Sequence, residues 1–427
     1  MSQLSRWTNI IVDTMKHFSL LRALRTPAFA LLWSGQTCSR LGDYMYEIGL
    51  AWWVLETTGS ATAMATVLAL TFGPMVIFGL VGGVAVDRYS RLHIMLYTDL
   101  VRGATTLLVA FLAYTGRLEL WHVYVLSVVF GAVEAIFHPA YMATVPDLVA
   151  EEDLPSANAL TSLSVQVGRI SGPGLGAFVI ALVDTNAIFL INAITFGVAT
   201  VLLIPLVRRR APSRQQIQLS KHGTTADSNP LAALKEGVHY VMQVPWLWRS
   251  IIIFALVNIT LQGPYRVSMP LLIEQMGRGV QTLGILTGLF AAGYIMGGIA
   301  LGSQSQLGNR RRLLFGGVAV AGLMLFLFGL PIGMIGLGIA ALINGAALEV
   351  GVQAWINALQ ELIPRKKLGR VVSIDFLGSM ALLPVGYGIA GWVTDLLGPS
   401  WVFALGGSLT VFIALGAYVH PAIRRLS

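Results

Sequence analysis

The chain has 427 residues, 56% of them hydrophobic and only 11% charged, whereas charge makes up about a quarter of a soluble domain. Water-soluble classes are thereby excluded, and 46 glycines suit membrane helices that approach one another closely. The net charge of +8 leaves a nucleic-acid partner open until the basic residues are placed, while a single cysteine, Cys38, excludes an intrachain disulfide.

Residues 1–27 read as a cytoplasmic N-terminal segment, without the apolar core and small-residue cleavage site of a signal peptide. Trp7, Ile11, Met15 and Phe18 share one helical face, which fits an interfacial helix over residues 6–25; a disordered tail accounts for the same residues. Twelve apolar blocks follow, beginning near Ala28, Ala61, His93, Trp121, Asn158, Ala187, Leu247, Gln281, Leu313, Ile335, Leu368 and Pro399. Each is close to the roughly 20 residues that span a bilayer. Arg22, Arg25, Arg88, Arg91, Arg208, Arg310 and Arg365, with their basic neighbours, fall on one side, and Arg117 and Arg278 on the other. That asymmetry marks the first side and both termini as cytoplasmic and accounts for the basic balance without nucleic acid.

The first block, "WSGQTCSRLGDYMYEIGLAWWVL" (Trp33 to Leu55), contains Arg40, Asp43 and Glu47. One charge at a bilayer centre costs roughly 2.5 to 3.5 kcal/mol, against about 0.3 to 0.6 returned by a Leu or Ile. Spaced three and four apart, the three fall in one narrow sector of a helix, and that face cannot meet lipid. Arg40 is placed to pair with Asp43 one turn away. Glu47 lacks a partner in its own helix, so it is the candidate for reversible protonation; a locked structural ion network is the alternative.

"GGVAVDRYSR" closes the second block with Gly83, Asp87, Arg88 and Arg91. Asp99 and Arg102, one turn apart in the third, read as an internal pair. Glu134 in the fourth has His138 one turn on, either a hydrogen-bonded pair or half of a metal site; no metal site is assigned. "GRISGPGLG" in the fifth carries Gly168, Arg169, Gly172, Pro173 and Gly176, a close-contact stripe with a local break in backbone bonding. Residues 208–246 form a polar cytoplasmic linker ending in an amphipathic surface helix, "LAALKEGVHYVM". In the seventh block Gly263 and Pro264 should kink the helix beside Arg266. Glu349 is the lone charge of the tenth block.

"GGVAV" (Gly82–Val86) recurs as "GGIAL" (Gly297–Leu301), and Gly131 corresponds to Gly345 at nearly the same offset. Duplication follows, with six-helix bundles over residues 28–207 and 247–427. Trp52, Trp53, Trp121, Trp246, Trp248, Trp392 and Trp401 lie near block ends, as headgroup anchors do. Tyr44, Tyr265 and Trp355 lie deeper, suiting either a binding surface or core packing.

"GGVAVDRYSR" resembles the loop between the second and third helices of major facilitator superfamily transporters, with Ser90 and Leu92 departing from the pattern. "GRISGPGLG" is similar to the Gly-Pro motif of antiporter branches, although a plain packing groove explains it too. With "SRLGD" and "FHPAYMATVPDLVAEEDL", the chain resembles the proton-driven efflux branch that holds macrolide pumps and enterobactin exporters. The resemblance implies an all-α membrane protein of twelve transmembrane helices in two pseudo-symmetric bundles, with the first, fourth, seventh and tenth lining a central cavity. It places Arg40, Asp43, Glu47, Glu134, Arg169, Arg266 and Glu349 as proton-coupling or cavity candidates, and Gly83, Asp87, Arg88 and Arg91 in a gating loop. The expected function is proton-coupled export of amphipathic small molecules across the bacterial plasma membrane by a monomer. A siderophore, lipid or nutrient carrier, or an uncoupled facilitator, is the alternative. Enzyme signatures and a phosphate-binding Gly-x-x-x-x-Gly-Lys-Ser/Thr loop are missing from the sequence, so neither catalysis nor a cofactor is expected.

Overall fold

The computed structural model describes residues 19–209, 230–302, 309–421 and 423, and every regular element among them is helical. After a 3-10 segment, Ser19–Arg25, come α1 (Pro27–Thr58), α2 (Ala61–Arg88), α3 (Arg91–Tyr114), α4 (Leu120–Leu148), α5 (Leu154–Leu182) and α6 (Thr185–Arg209). A short α7 (Pro230–Gln243) leads into α8 (Pro245–Gln275), α9 (Val280–Gly302), α10 (Arg310–Phe328) and α11 (Gly333–Leu362). The chain ends with α12 (Arg365–Met380), α13 (Leu383–Leu397) and α14 (Pro399–Val419). Proline in the first turn of α1, α5, α8, α13 and α14 occupies the one place where its missing N–H costs nothing.

Among the described residues, eleven segments are long and apolar enough to cross a membrane, α12 and α13 counting as one. α1, 32 residues long, carries Arg40, Asp43, Glu47 and Glu56 and falls outside that set. Large apolar side chains stand outward, Ile335 at 82% exposure and Phe412 at 77%, as in a protein whose solvent is hydrocarbon. Exposed Trp121, Trp392 and Trp401 fit the anchoring expectation. Trp52, Trp53 and Trp246 do not: they are buried in helix contacts, because closeness to a helix end does not decide which way a ring faces.

The repeat is visible in the packing. α2 lies on α4 and α3 on α6, as α9 lies on α11 and α10 on α14. A Cβ on Gly131 would stand 1.9 Å from the Thr71 carbonyl oxygen, and one on Gly345 would stand 2.0 Å from that of Phe290, so the duplicated glycines mark the same close crossing in both halves. Arg91, from the "GGVAVDRYSR" motif, bonds Asp147 at 2.7 Å, and Arg310 pairs with Glu361 at the equivalent place in the second half. Arg88 is exposed at the end of α2; the surroundings of the Gly83 and Asp87 side chains lie outside the described residues. The halves meet along α5 with α9 and α2 with α13.

The Ser19–Arg25 segment docks on the start of α5, where Ser156 Oγ accepts from the Ala23 amide at 3.0 Å and Arg22 bonds Asp153 at 2.6 Å. It is a packed 3-10 turn; the rest of the expected interfacial helix lies outside the described residues. α7 lies against α12, with Glu236 bonding Arg370 at 2.5 Å, while residues 210–229 of the linker lie outside the described residues.

Candidate functional site

A cavity opens between α1, α2, α5, α8 and α9, and its polar lining is Tyr44, Glu47, Arg169, Gln262, Tyr265 and Arg266, with Thr287. Local sequence builds it. In α8 the helix widens to a π-turn at Asn258–Gln262 immediately before Gly263 and Pro264, so the expected kink takes the form of an extra residue in one turn. That turn presents Gln262, Tyr265 and Arg266 to the cavity. On α5, a Cβ at Gly172 would stand 2.4 Å from Tyr44 Cβ, so only glycine lets α1 approach and seat Tyr44. Gly168 and Gly176 face Tyr44 and Met45 in the same way, and the Pro173 carbonyl packs against Gly284 of α9. The Gly-Pro stripe thus makes close contacts with α1 on one side and α9 on the other.

Arg40, Asp43 and Glu47 share the predicted face but do not form one network. Arg40 lies 5.0 Å from the centre of the Tyr141 ring of α4. Asp43 accepts from Asn192 Nδ2 of α6 at 3.3 Å, and Glu47 pairs with Arg266 of α8. The expected Arg40–Asp43 pair is replaced because each side chain finds a partner on a different neighbouring helix. Glu47, unpartnered within its own helix, is tied across the cavity by Arg266.

The buried charge centre lies where the sequence suggested only a local pair. Arg102, 2% exposed, bonds Asp99 and Glu134, both at 2.6 Å, and Gln36 of α1 donates to Asp99 at 2.8 Å. The Phe137 and Phe196 rings flank the guanidinium at 4.0 and 4.8 Å. Glu134 thus turns toward Arg102, whereas His138 is exposed, and among the described residues no group of three or more His, Cys, Asp or Glu could hold a metal. The missed signal was Gln36, a polar residue one turn before Arg40 on the same apolar helix.

Glu349 is buried at 5% exposure on α11; Gln353 donates to its Oε1 at 2.9 Å, and its Oε2 has no hydrogen-bond partner. It packs on Gly298 of α9 and does not line the cavity. Arg169 does line it, with its guanidinium 4.0 Å from the Tyr294 ring centre and 5.5 Å from that of Phe290. Trp355 is a packing residue: buried between Trp246 and Phe254, it donates Nε1–H to Asp375 at 3.0 Å, away from the cavity.

A membrane bundle of paired halves around a polar cavity is the architecture of a secondary transporter. The family described as transmembrane secretion effector matches residues 18–348, and the chain belongs to this major facilitator family. It is 26% identical to macrolide efflux protein A of Streptococcus pyogenes over 93% of this chain and 97% of that protein. It is also 26% identical to the multidrug efflux pump Tap of Mycobacterium tuberculosis, over 94% of this chain and 95% of the pump. Among solved structures, a bacterial homologue of the iron transporter ferroportin in its inward-facing state matches with a TM-score of 0.71 at 15% identity, over 92% and 99% of the two chains. A peptide transporter matches at 0.71 and 12% identity, over 94% and 96%. These likenesses establish the fold.

Proposed function

We propose that this transporter is a proton-coupled exporter of amphipathic small molecules in the bacterial plasma membrane. α1 serves as the twelfth span, both termini are cytoplasmic, and residues 28–207 and 247–427 move as two bodies in alternating access. The observation that carries the reading is the ion pair between Glu47 of α1 and Arg266 of α8, one helix from each half, at the cavity wall. Neutralising Glu47 removes the attraction that ties the halves there, so proton binding and the relative placement of the halves are linked. Glu349 is the second proton candidate, since its Oε2 is buried without a partner. The cavity is about 120 Å³. Sites for drug-sized ligands are roughly 300 Å³ or more, so substrate entry requires the halves to part.

The efflux names of the relatives support the outward direction. In proteoliposomes with an imposed pH gradient, Glu47→Gln and Glu349→Gln should keep substrate binding but lose acceleration by the gradient, because an amide mimics only the protonated carboxyl. Full gradient-driven transport in both variants would show that these carboxylates are structural and that the carrier is uncoupled or coupled elsewhere.

A further inference from the structure

The charges that line the cavity do not cancel. Glu47 and Arg266 neutralise one another, and Arg169 is left with aromatic rings as its neighbours. Among the described residues no carboxylate lies within ion-pairing distance of Arg169; Glu349 is engaged by Gln353, and Tyr294 stands between it and Arg169. An arginine fork that faces a cavity and has no acidic partner of its own presents donors in the geometry that recognises carboxylate, sulfonate or phosphate. A second group points the same way: the Tyr265 hydroxyl in the cavity wall is buried without a hydrogen-bond partner, leaving a donor for a ligand oxygen. Around them Tyr44, Phe290 and Met269 supply the apolar and aromatic surface that a flat ligand body covers.

We infer that the cavity takes amphipathic organic anions: Arg169 docks the acidic group, Tyr265 donates to it, and the aromatic wall holds the body. The cation–π placement of Arg169 over Tyr294 holds the guanidinium without neutralising it. An organic cation meets the unbalanced charge of Arg169 and is disfavoured. This assignment rests on the exporter reading for the location of the site and adds the charge class of what is bound.

Fluorescein and rhodamine 123 share a xanthene body and at pH 7.5 carry opposite charge, which makes them a matched pair of probes. Their binding to the purified protein in phosphatidylcholine nanodiscs, whose lipids are zwitterionic, is read by fluorescence anisotropy. Fluorescein should bind at least about tenfold more tightly, a difference of one charge-assisted contact. Arg169→Gln should lose that preference with rhodamine 123 unchanged or improved, and Arg169→Lys should restore part of it. Glu47→Gln, which frees Arg266, should strengthen fluorescein binding severalfold. Rhodamine 123 binding as tightly as fluorescein, equal loss of both dyes in Arg169→Gln, or no binding of either dye to the native protein overturns the assignment. Dye movement in proteoliposomes keeps the two readings apart. Fluorescein that binds by these rules but is never moved defeats the exporter and keeps the anion site, whereas rhodamine 123 moved with fluorescein excluded does the reverse.

Discussion

Arg102 shows how much one side chain can hold in a membrane interior. Its guanidinium bonds carboxylates on two helices and has aromatic rings against its faces, so the pairing is made within α3 and between α3 and α4. Removing it leaves Asp99 buried and Glu134 half-buried without their cation, and losing one partner of a buried pair costs about 3 to 5 kcal/mol. Arg102→Leu should therefore sharply lower the unfolding temperature in detergent, and Arg102→Lys, which keeps the charge but loses the fork, should fall between. Asp43 makes a single contact of 3.3 Å with Asn192, and an amide oxygen can accept the same bond. Asp43→Asn should then stay within about 1 kcal/mol of the native protein in the same measurement. Equal losses in Arg102→Leu and Asp43→Asn would show that Asp43 belongs to the charge cluster around Arg102.

At the scale of the helix, contact distance is set by which residues lack a side chain. Gly131 on α4 and Gly345 on α11 each bring a neighbouring backbone carbonyl to within 2.0 Å of where a Cβ would sit, so alanine there must push two helices apart. Overpacking of this kind costs about 1 to 3 kcal/mol. Gly197 on α6 meets nothing within 4 Å of its missing Cβ, and there alanine should be neutral or stabilising, by up to about 1 kcal/mol from helix propensity. Unfolding temperatures of Gly131→Ala, Gly345→Ala and Gly197→Ala should separate two losses from one silent change. Similar values for all three would mean that the α2–α4 and α9–α11 crossings are looser than these distances.

Across the whole molecule, one carboxylate bonds the two halves together at the end of the bundle away from the termini. Asp395, at the end of α13, accepts from Ser60 Oγ and the Ala61 amide, both at 2.7 Å, and from the Thr62 amide at 3.0 Å. A side chain of the second half thus caps the N-terminus of a helix in the first, where the helix dipole favours an anion. If transport needs that end to part, a disulfide at the same contact should stop it. In a background with Cys38→Ser, the pair Ser60→Cys and Asp395→Cys should lose transport on oxidation and regain it on reduction, read as substrate flux in proteoliposomes. Unimpaired flux in the oxidised protein would rule out opening at this end.

Membrane class, the helical plan, the duplication and the family-defining motifs were determined by the sequence alone, because hydrocarbon admits few backbone solutions and each span must be apolar over its whole length. The same rule made the intramembrane charges conspicuous: Arg40, Asp43, Glu47, Glu134, Arg169, Arg266 and Glu349 were legible as costs that need an explanation. Their partners were not. Which of several helices receives a given side chain depends on helix rotation and separation, set by glycine contacts such as Gly172 against Tyr44 and by the π-turn in α8. So only the tertiary structure decided that Asp43 turns to Asn192, that Glu47 crosses to Arg266, and that the pair Asp99–Arg102 extends to Gln36 and Glu134. It also decided that Trp355 packs in a core, since an apolar ring deep in a span satisfies the sequence pattern equally well facing a cavity or facing another helix.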